Sequence, residues 1–165
     1  MATVDHRGTQ VQTVGDLPAV GSQLPAFTLT GPDLEEFGPE VAAGARLVLN
    51  IFPSIDTRTC AMSVRRFNEL ASALTDTVVL CVSADLPYAQ ARFCGAEGIQ
   101  NVLTGSSFRS SFGADYGVTL VTGRMRGLLS RAVVVADASG RILYTEQVPS
   151  IGQEPDYDAA LAALA

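Results

Sequence analysis

The run Arg46-Leu47-Val48-Leu49-Asn50-Ile51-Phe52 is apolar at both odd and even positions, so it suits a strand covered on both faces of a sheet. It stops at Pro53. From Thr59 to Leu74 the spacing becomes helical, with Val64, Phe67, Leu70, Ala71 and Leu74 on one stripe and Arg65, Arg66 and Glu69 mostly outside it. A doubly buried strand followed at once by an amphipathic helix requires layered packing. The pattern then repeats. Val78 to Val82 reads as a second central strand, Pro87 opens a helix that runs through Cys94 to a break at Gly95, and Val102 to Thr104 reads as a third strand. Ser107 to Phe112 suits one or two helical turns. Ala132 to Ala136 is another buried strand, Asp137-Ala138-Ser139-Gly140 signals a hairpin, and Arg141 to Thr145 alternates as its partner. Pro155-Asp156-Tyr157-Asp158 opens a final helix with acids in its first turn. Ahead of all this, Thr9 to Thr13 alternates as a short strand and Phe27 to Thr30 forms another after Pro25. In a chain of 165 residues the order implies one α/β domain, a sandwich around a mixed sheet.

Composition removes several chemistries. All 11 basic residues are arginines, so there is no Schiff-base lysine, no phosphate-loop lysine and no polylysine tail for nucleic acid or anionic lipid. The only histidine, His6, lies in a polar N-terminal segment with no reason to enter a core, which argues against a histidine-based triad or a catalytic zinc site. The three cysteines, Cys60, Cys81 and Cys94, form no CxxC pair, and an odd number cannot close within one chain. No stretch has the length of a signal peptide or a membrane span, so a reducing, cytoplasmic setting is expected, where cysteines serve chemistry more often than architecture. Charge is uneven. Residues 44–136 hold 9 arginines and 6 acids, whereas the flanking segments hold 2 arginines and 11 acids. That is either ordinary surface variation or a field that attracts anions around the cysteines.

The segment Pro53-Ser54-Ile55-Asp56-Thr57-Arg58-Thr59-Cys60 joins the buried strand to the helix, which places it above the carboxyl end of the sheet. With Thr57 as N-cap, Cys60 falls at N3, among unpaired backbone N–H groups and at the positive end of the helix dipole. That setting favours a thiolate nucleophile, and Arg58 nearby adds positive charge. The position alone is equally compatible with a small buried cysteine on the apolar face. Cys94, at the far end of its helix, gains nothing from the dipole, as suits a second thiol that resolves an oxidised first one. Cys81 sits among branched apolar residues in a central strand and reads as an inert core cysteine. Arg131 directly precedes the strand Ala132 to Ala136, and it either flanks the strand toward solvent or points into a site that stabilises anions.

Pro53 to Cys60, continuing as Ser63-Val64-Arg65-Arg66-Phe67-Asn68-Glu69, resembles the thiol peroxidase branch of the peroxiredoxins, an atypical two-cysteine group. The Pro-x-x-x-Thr-x-x-Cys core carries the resemblance, and the segments Ser83 to Cys94 and Leu128 to Val133 extend it over almost the whole chain. The resemblance implies a thioredoxin-like sandwich with an N-terminal hairpin. It further implies Cys60 as the peroxidatic cysteine, Cys94 as the resolving cysteine of the same chain, and Pro53, Thr57 and Arg131 as the supporting pocket. Reduction of hydrogen peroxide and organic hydroperoxides, regeneration by thioredoxin or a similar dithiol protein, a homodimer, and no requirement for metal or organic cofactor come with it. Arg58 departs from the pattern, since many relatives carry proline there. The alternative is a noncatalytic thioredoxin-fold redox-signalling module.

Overall fold

Arg7 and Gly8 both take positive φ, 53° and 85°, as a two-residue hairpin turn demands. The turn folds β1 (Thr3–His6) antiparallel onto β2 (Thr9–Gln12), with Val4 opposite Val11. These two valines close over Leu120 and Ile151 in a small apolar cluster of their own. The computed structural model describes all residues 1–165. After the hairpin come the short strands β3 (Leu29–Thr30) and β4 (Glu36–Phe37) and a 3₁₀ turn at Pro39–Ala42. The core follows as β5 (Arg46–Ile51), α1 (Arg58–Ala71), β6 (Thr77–Ser83), α2 (Pro87–Glu97) and β7 (Leu103–Ser106). It continues with α3 (Phe112–Asp115), β8 (Ala132–Ala136), β9 (Ile142–Gln147) and α4 (Tyr157–Ala162).

Seven strands form one mixed sheet in the order β4-β3-β7-β6-β5-β8-β9. β5, β6 and β7 run parallel, and β8 lies antiparallel to both β5 and β9. This is the thioredoxin-like sandwich with an N-terminal hairpin that the resemblance implies. Alternation along β5 explains its two covered faces. Leu47, Leu49 and Ile51 join Phe27, Phe112, Tyr116 and Leu129 on one side. Val48 and Phe52 join Cys60, Val64 and Phe67 of α1 and Ala160 of α4 on the other. Phe67 meets Tyr157 edge-on, with centroids 5.2 Å apart, so α1 and α4 brace each other.

Several boundaries differ from expectation, among them β3, which begins at Leu29 and not Phe27, and α1, which ends at Ala71 and not Leu74. α2 passes through Gly95 and ends only where Gly98 turns left-handed at φ 66° and donates its N–H to the Cys94 carbonyl. A glycine inside a helix costs about 1 kcal/mol without breaking it, whereas a left-handed cap selects for one. β7 starts at Leu103, not Val102, and reaches Ser106 in register with Ser83. The helical turn expected at Ser107 to Phe112 begins at Phe112. Before it, Ser106 and Ser110 accept the N–H groups of Phe108 and Phe112 and hold the segment in turns.

Phe67→Ala would leave a cavity between α1, α4 and the sheet. Urea denaturation is expected to show a loss of about 3 to 5 kcal/mol, as for other buried phenylalanines.

Candidate active site

At the end of β5 the chain turns through Pro53 and re-enters helix at Arg58. Thr57 is extended at φ −94° and ψ 147°, and its Oγ1 accepts the Cys60 N–H at 3.3 Å. The same hydroxyl donates to the Ser54 carbonyl at 3.1 Å, closing the loop on itself. Cys60 therefore stands at N3 as expected, and it has no exposed surface.

Arg131 is 1% exposed, which decides between its two possible orientations in favour of the interior. Its Nη2 donates to Cys60 Sγ at 3.3 Å and to the Ile151 carbonyl at 2.7 Å, while Nε reaches that carbonyl at 3.0 Å. Nη1 is buried without a partner. No carboxylate pairs with this guanidinium, so its charge is not cancelled locally. The Ile151 carbonyl is itself held in place by the hairpin. Ile151 donates its N–H to Asp5 at 2.9 Å, and the Asp5 N–H reaches the Pro149 carbonyl at 2.8 Å.

Pro53, Thr57 and Arg131 line one cleft of about 510 Å³, together with His6, Arg7 and Arg58. Cys60 is not among the lining residues and joins the cleft wall through its hydrogen bonds with Thr57 and Arg131. His6 stays outside the core, as its polar segment implies, and the hairpin carries it to the rim of the cleft. The sequence signal was the Arg7-Gly8 turn between two alternating segments.

Cys94 is half-buried in the last turn of α2 and faces a second groove of similar size, lined by Phe37, Val41, Ile99 and Val102. The two cavities share no residue. Burial pushes the Cys94 thiol up. Cys81 is fully buried, and desolvation pushes its thiol up to about 12, against a bond from Asn50 Nδ2 at 3.6 Å that works the other way. It stays protonated and packed at neutral pH, as an inert core cysteine should. All three thiols are free.

One residue escaped the sequence reading. The Asp85 carboxylate accepts from Ser54 Oγ at 2.7 Å, from the Ile55 N–H at 2.6 Å and from Ser83 Oγ at 2.6 Å. Ser106 Oγ donates to its main-chain carbonyl. Asp85 thus ties the loop that leads to Cys60 to the ends of β6 and β7 and to the start of the helix bearing Cys94. An acid between Ser83 and Pro87 carries no signal of this by itself, because its partners are brought in by the fold.

Comparison with known proteins agrees with this architecture. The family model described as Redoxin matches residues 19–161. The thiol peroxidase of Mycobacterium bovis is 59% identical over 164 residues, covering 99% of both chains, and that of Corynebacterium glutamicum is 52% identical with the same coverage. The crystal structure of a peroxiredoxin-like protein from Aquifex aeolicus superposes with a TM-score of 0.92 at 36% identity, covering 98% of this chain and 95% of the other. A cysteine at a helix N-terminus on a thioredoxin-like sheet, in a chain matched by the Redoxin model, defines a thiol-based redox protein. Within that class, the chain belongs to the thiol peroxidases of the peroxiredoxin family.

Asp85→Ala would strand the Ser54 and Ser83 hydroxyls and the Ile55 N–H. A loss of about 2 to 4 kcal/mol in chemical denaturation is expected, with faster amide exchange at residues 54–57.

Proposed function

We propose that the chain is a thiol-dependent peroxidase in which Cys60 is the peroxidatic cysteine, Cys94 the resolving cysteine, and Thr57, Arg131 and Pro53 the supporting pocket. The observation that carries this reading is the 3.3 Å contact from Arg131 Nη2 to Cys60 Sγ, at the edge of a cleft shared with Thr57 and Pro53. The Cys60 thiolate attacks the terminal oxygen of the hydroperoxide. The O–O bond breaks, Cys60 becomes a sulfenic acid, and the departing alkoxide or hydroxide takes up a proton to leave as alcohol or water. Arg131 stabilises the negative charge that moves from sulfur to the leaving oxygen, and its unpartnered Nη1 is a donor available for that oxygen. The Thr57 hydroxyl orients the peroxide. Pro53 walls the pocket without adding an N–H.

Cys94 then condenses with the sulfenic acid, forming the Cys60–Cys94 disulfide and releasing water. Thioredoxin or a similar dithiol protein reduces it. Because Cys94 and the Cys60 cleft occupy different grooves, the disulfide requires part of α2 and of the Cys60 loop to open first. A homodimer acting in the cytoplasm completes the proposal. No helix is long and apolar enough to cross a membrane.

Cys60→Ser is expected to abolish peroxide reduction, while Cys81→Ser retains most of it at matched folded fraction. Equal losses in a coupled reductant assay would reject the assignment. Cys94→Ser is expected to stop at a Cys60 sulfenic acid, visible to a sulfenate-specific label, and to over-oxidise in excess peroxide. Turnover with thioredoxin at the full rate would remove Cys94 from the resolving role. Arg131→Met is expected to slow the first oxidation step by about 2 to 4 kcal/mol of transition-state stabilisation, the usual size for a lost oxyanion donor. Stopped-flow single-turnover oxidation measures it.

A further inference from the structure

The active-site cleft is charged opposite to the protein that contains it. The chain carries a formal charge of −6, yet Arg7, Arg58 and Arg131 line this one cleft against a single carboxylate, Asp5. Asp5 is engaged elsewhere, accepting from the Gly8 N–H at 3.2 Å and from Gln10 Nε2 at 3.4 Å. Neither Arg7 nor Arg58 has a carboxylate within 4.0 Å.

Arg58 is the more telling of the two. It is the first residue of α1, where the positive end of the helix dipole disfavours a cation, and the first turn of that helix holds no acid. Asp56, two residues earlier, makes no ion pair with it. Neither Arg7 nor Arg58 hydrogen-bonds the Cys60 sulfur, whose one guanidinium donor is Arg131. The charges of Arg7 and Arg58 are therefore unanswered within the chain.

The space fits a molecule larger than hydrogen peroxide. About 510 Å³ lies within the ordinary range of small-molecule sites, far beyond what two oxygen atoms occupy. Met125 and Ile151 offer it a short apolar wall. Of the guanidinium groups that line this site, Arg7 and Arg58 each offer the planar fork that matches a carboxylate.

We propose that the cleft selects hydroperoxides that carry an anionic group, with Arg58 and Arg7 receiving a carboxylate while the O–O bond reaches Cys60 beside Arg131. This deepens the peroxidase reading and rests on it. The carboxylate is a spectator: sulfur is oxidised to the sulfenic acid, the O–O bond is cleaved, and the alcohol leaves with its carboxylate unchanged. The same field concentrates anionic substrate near the cleft despite the negative charge of the whole chain.

The test compares two size-matched probes, cumene hydroperoxide bearing a para-carboxylate and the same compound bearing a para-carboxamide. Second-order rate constants for the first oxidation of the reduced protein are measured by stopped flow, and the result is their ratio within each protein. Any loss of folded fraction or general reactivity cancels in that ratio. The carboxylate is expected to react about three- to tenfold faster at low ionic strength, the size of one or two partly exposed ion pairs, with the advantage shrinking in 0.5 M salt, where screening is about twofold stronger than at physiological salt. Arg58→Gln and Arg7→Gln are expected to lower the ratio, Arg58→Lys to lower it less than Arg58→Gln because it keeps the charge but not the bidentate fork, and Arg58→Glu to push it below one. A ratio near one in the unaltered protein, or a ratio that ignores both salt and Arg58→Glu, would overturn the selective cleft. Failure of both probes and of hydrogen peroxide to oxidise Cys60 would instead overturn the peroxidase reading beneath it.

Discussion

A guanidinium buried without a carboxylate is the most demanding feature of this molecule. Arg131 keeps its charge in the interior with only the Ile151 carbonyl and the Cys60 sulfur as acceptors. Desolvating an ion is costly, and a paired carboxylate would be the usual remedy. Such a partner would also neutralise the field that Cys60 meets. The fold supplies a dipole instead of a countercharge: a backbone carbonyl fixes the guanidinium and leaves its positive charge directed at the sulfur. The rest of the site is arranged around that choice. β9 contributes as well, since Gln147 Nε2 and the Val148 N–H both donate to the Arg131 carbonyl and hold its main chain at the start of β8.

Polar contacts divide the labour on the other side of Cys60. Thr57 caps the helix and fastens its own loop, so the position of Cys60 is set locally by residues three apart. Asp85 sets it globally. Its carboxylate gathers donors from the loop after β5 and the end of β6, and its carbonyl takes one from β7, so the approach to Cys60 and the root of α2 share a single anchor. The two cysteine-bearing segments are thereby joined through hydrogen bonds at Asp85, although their cavities have no wall in common.

Much of this was legible in the residues alone. The doubly apolar β5, the switch to helical spacing and the Asp137 to Gly140 turn are local patterns, and local patterns determined the central sheet. Thr57 as N-cap and Cys60 at N3 followed from the same short-range rules. What was not legible depends on contacts between distant segments. Nothing in the order Ser83-Ala84-Asp85 reveals that Ser54 and Ile55 lie across from it. Arg131 read equally well as a solvent-facing strand flank, because its acceptor, Ile151, is positioned by pairing with Asp5. The α2 terminus was misplaced by three residues because a glycine inside a helix and a glycine that ends one look alike until the left-handed turn at Gly98 is seen.

The hairpin's separate apolar cluster has a consequence for behaviour under heat. Val4, Val11, Leu120 and Ile151 form a unit far smaller than either main core, and small units open at lower free energy than the sheet they border. Yet this is the unit that aligns the Ile151 carbonyl with Arg131. Warming should therefore release the guanidinium from its anchor while the seven-stranded sheet is still intact, and chemistry at Cys60 should fade over a range of temperatures in which the bulk of the protein remains folded.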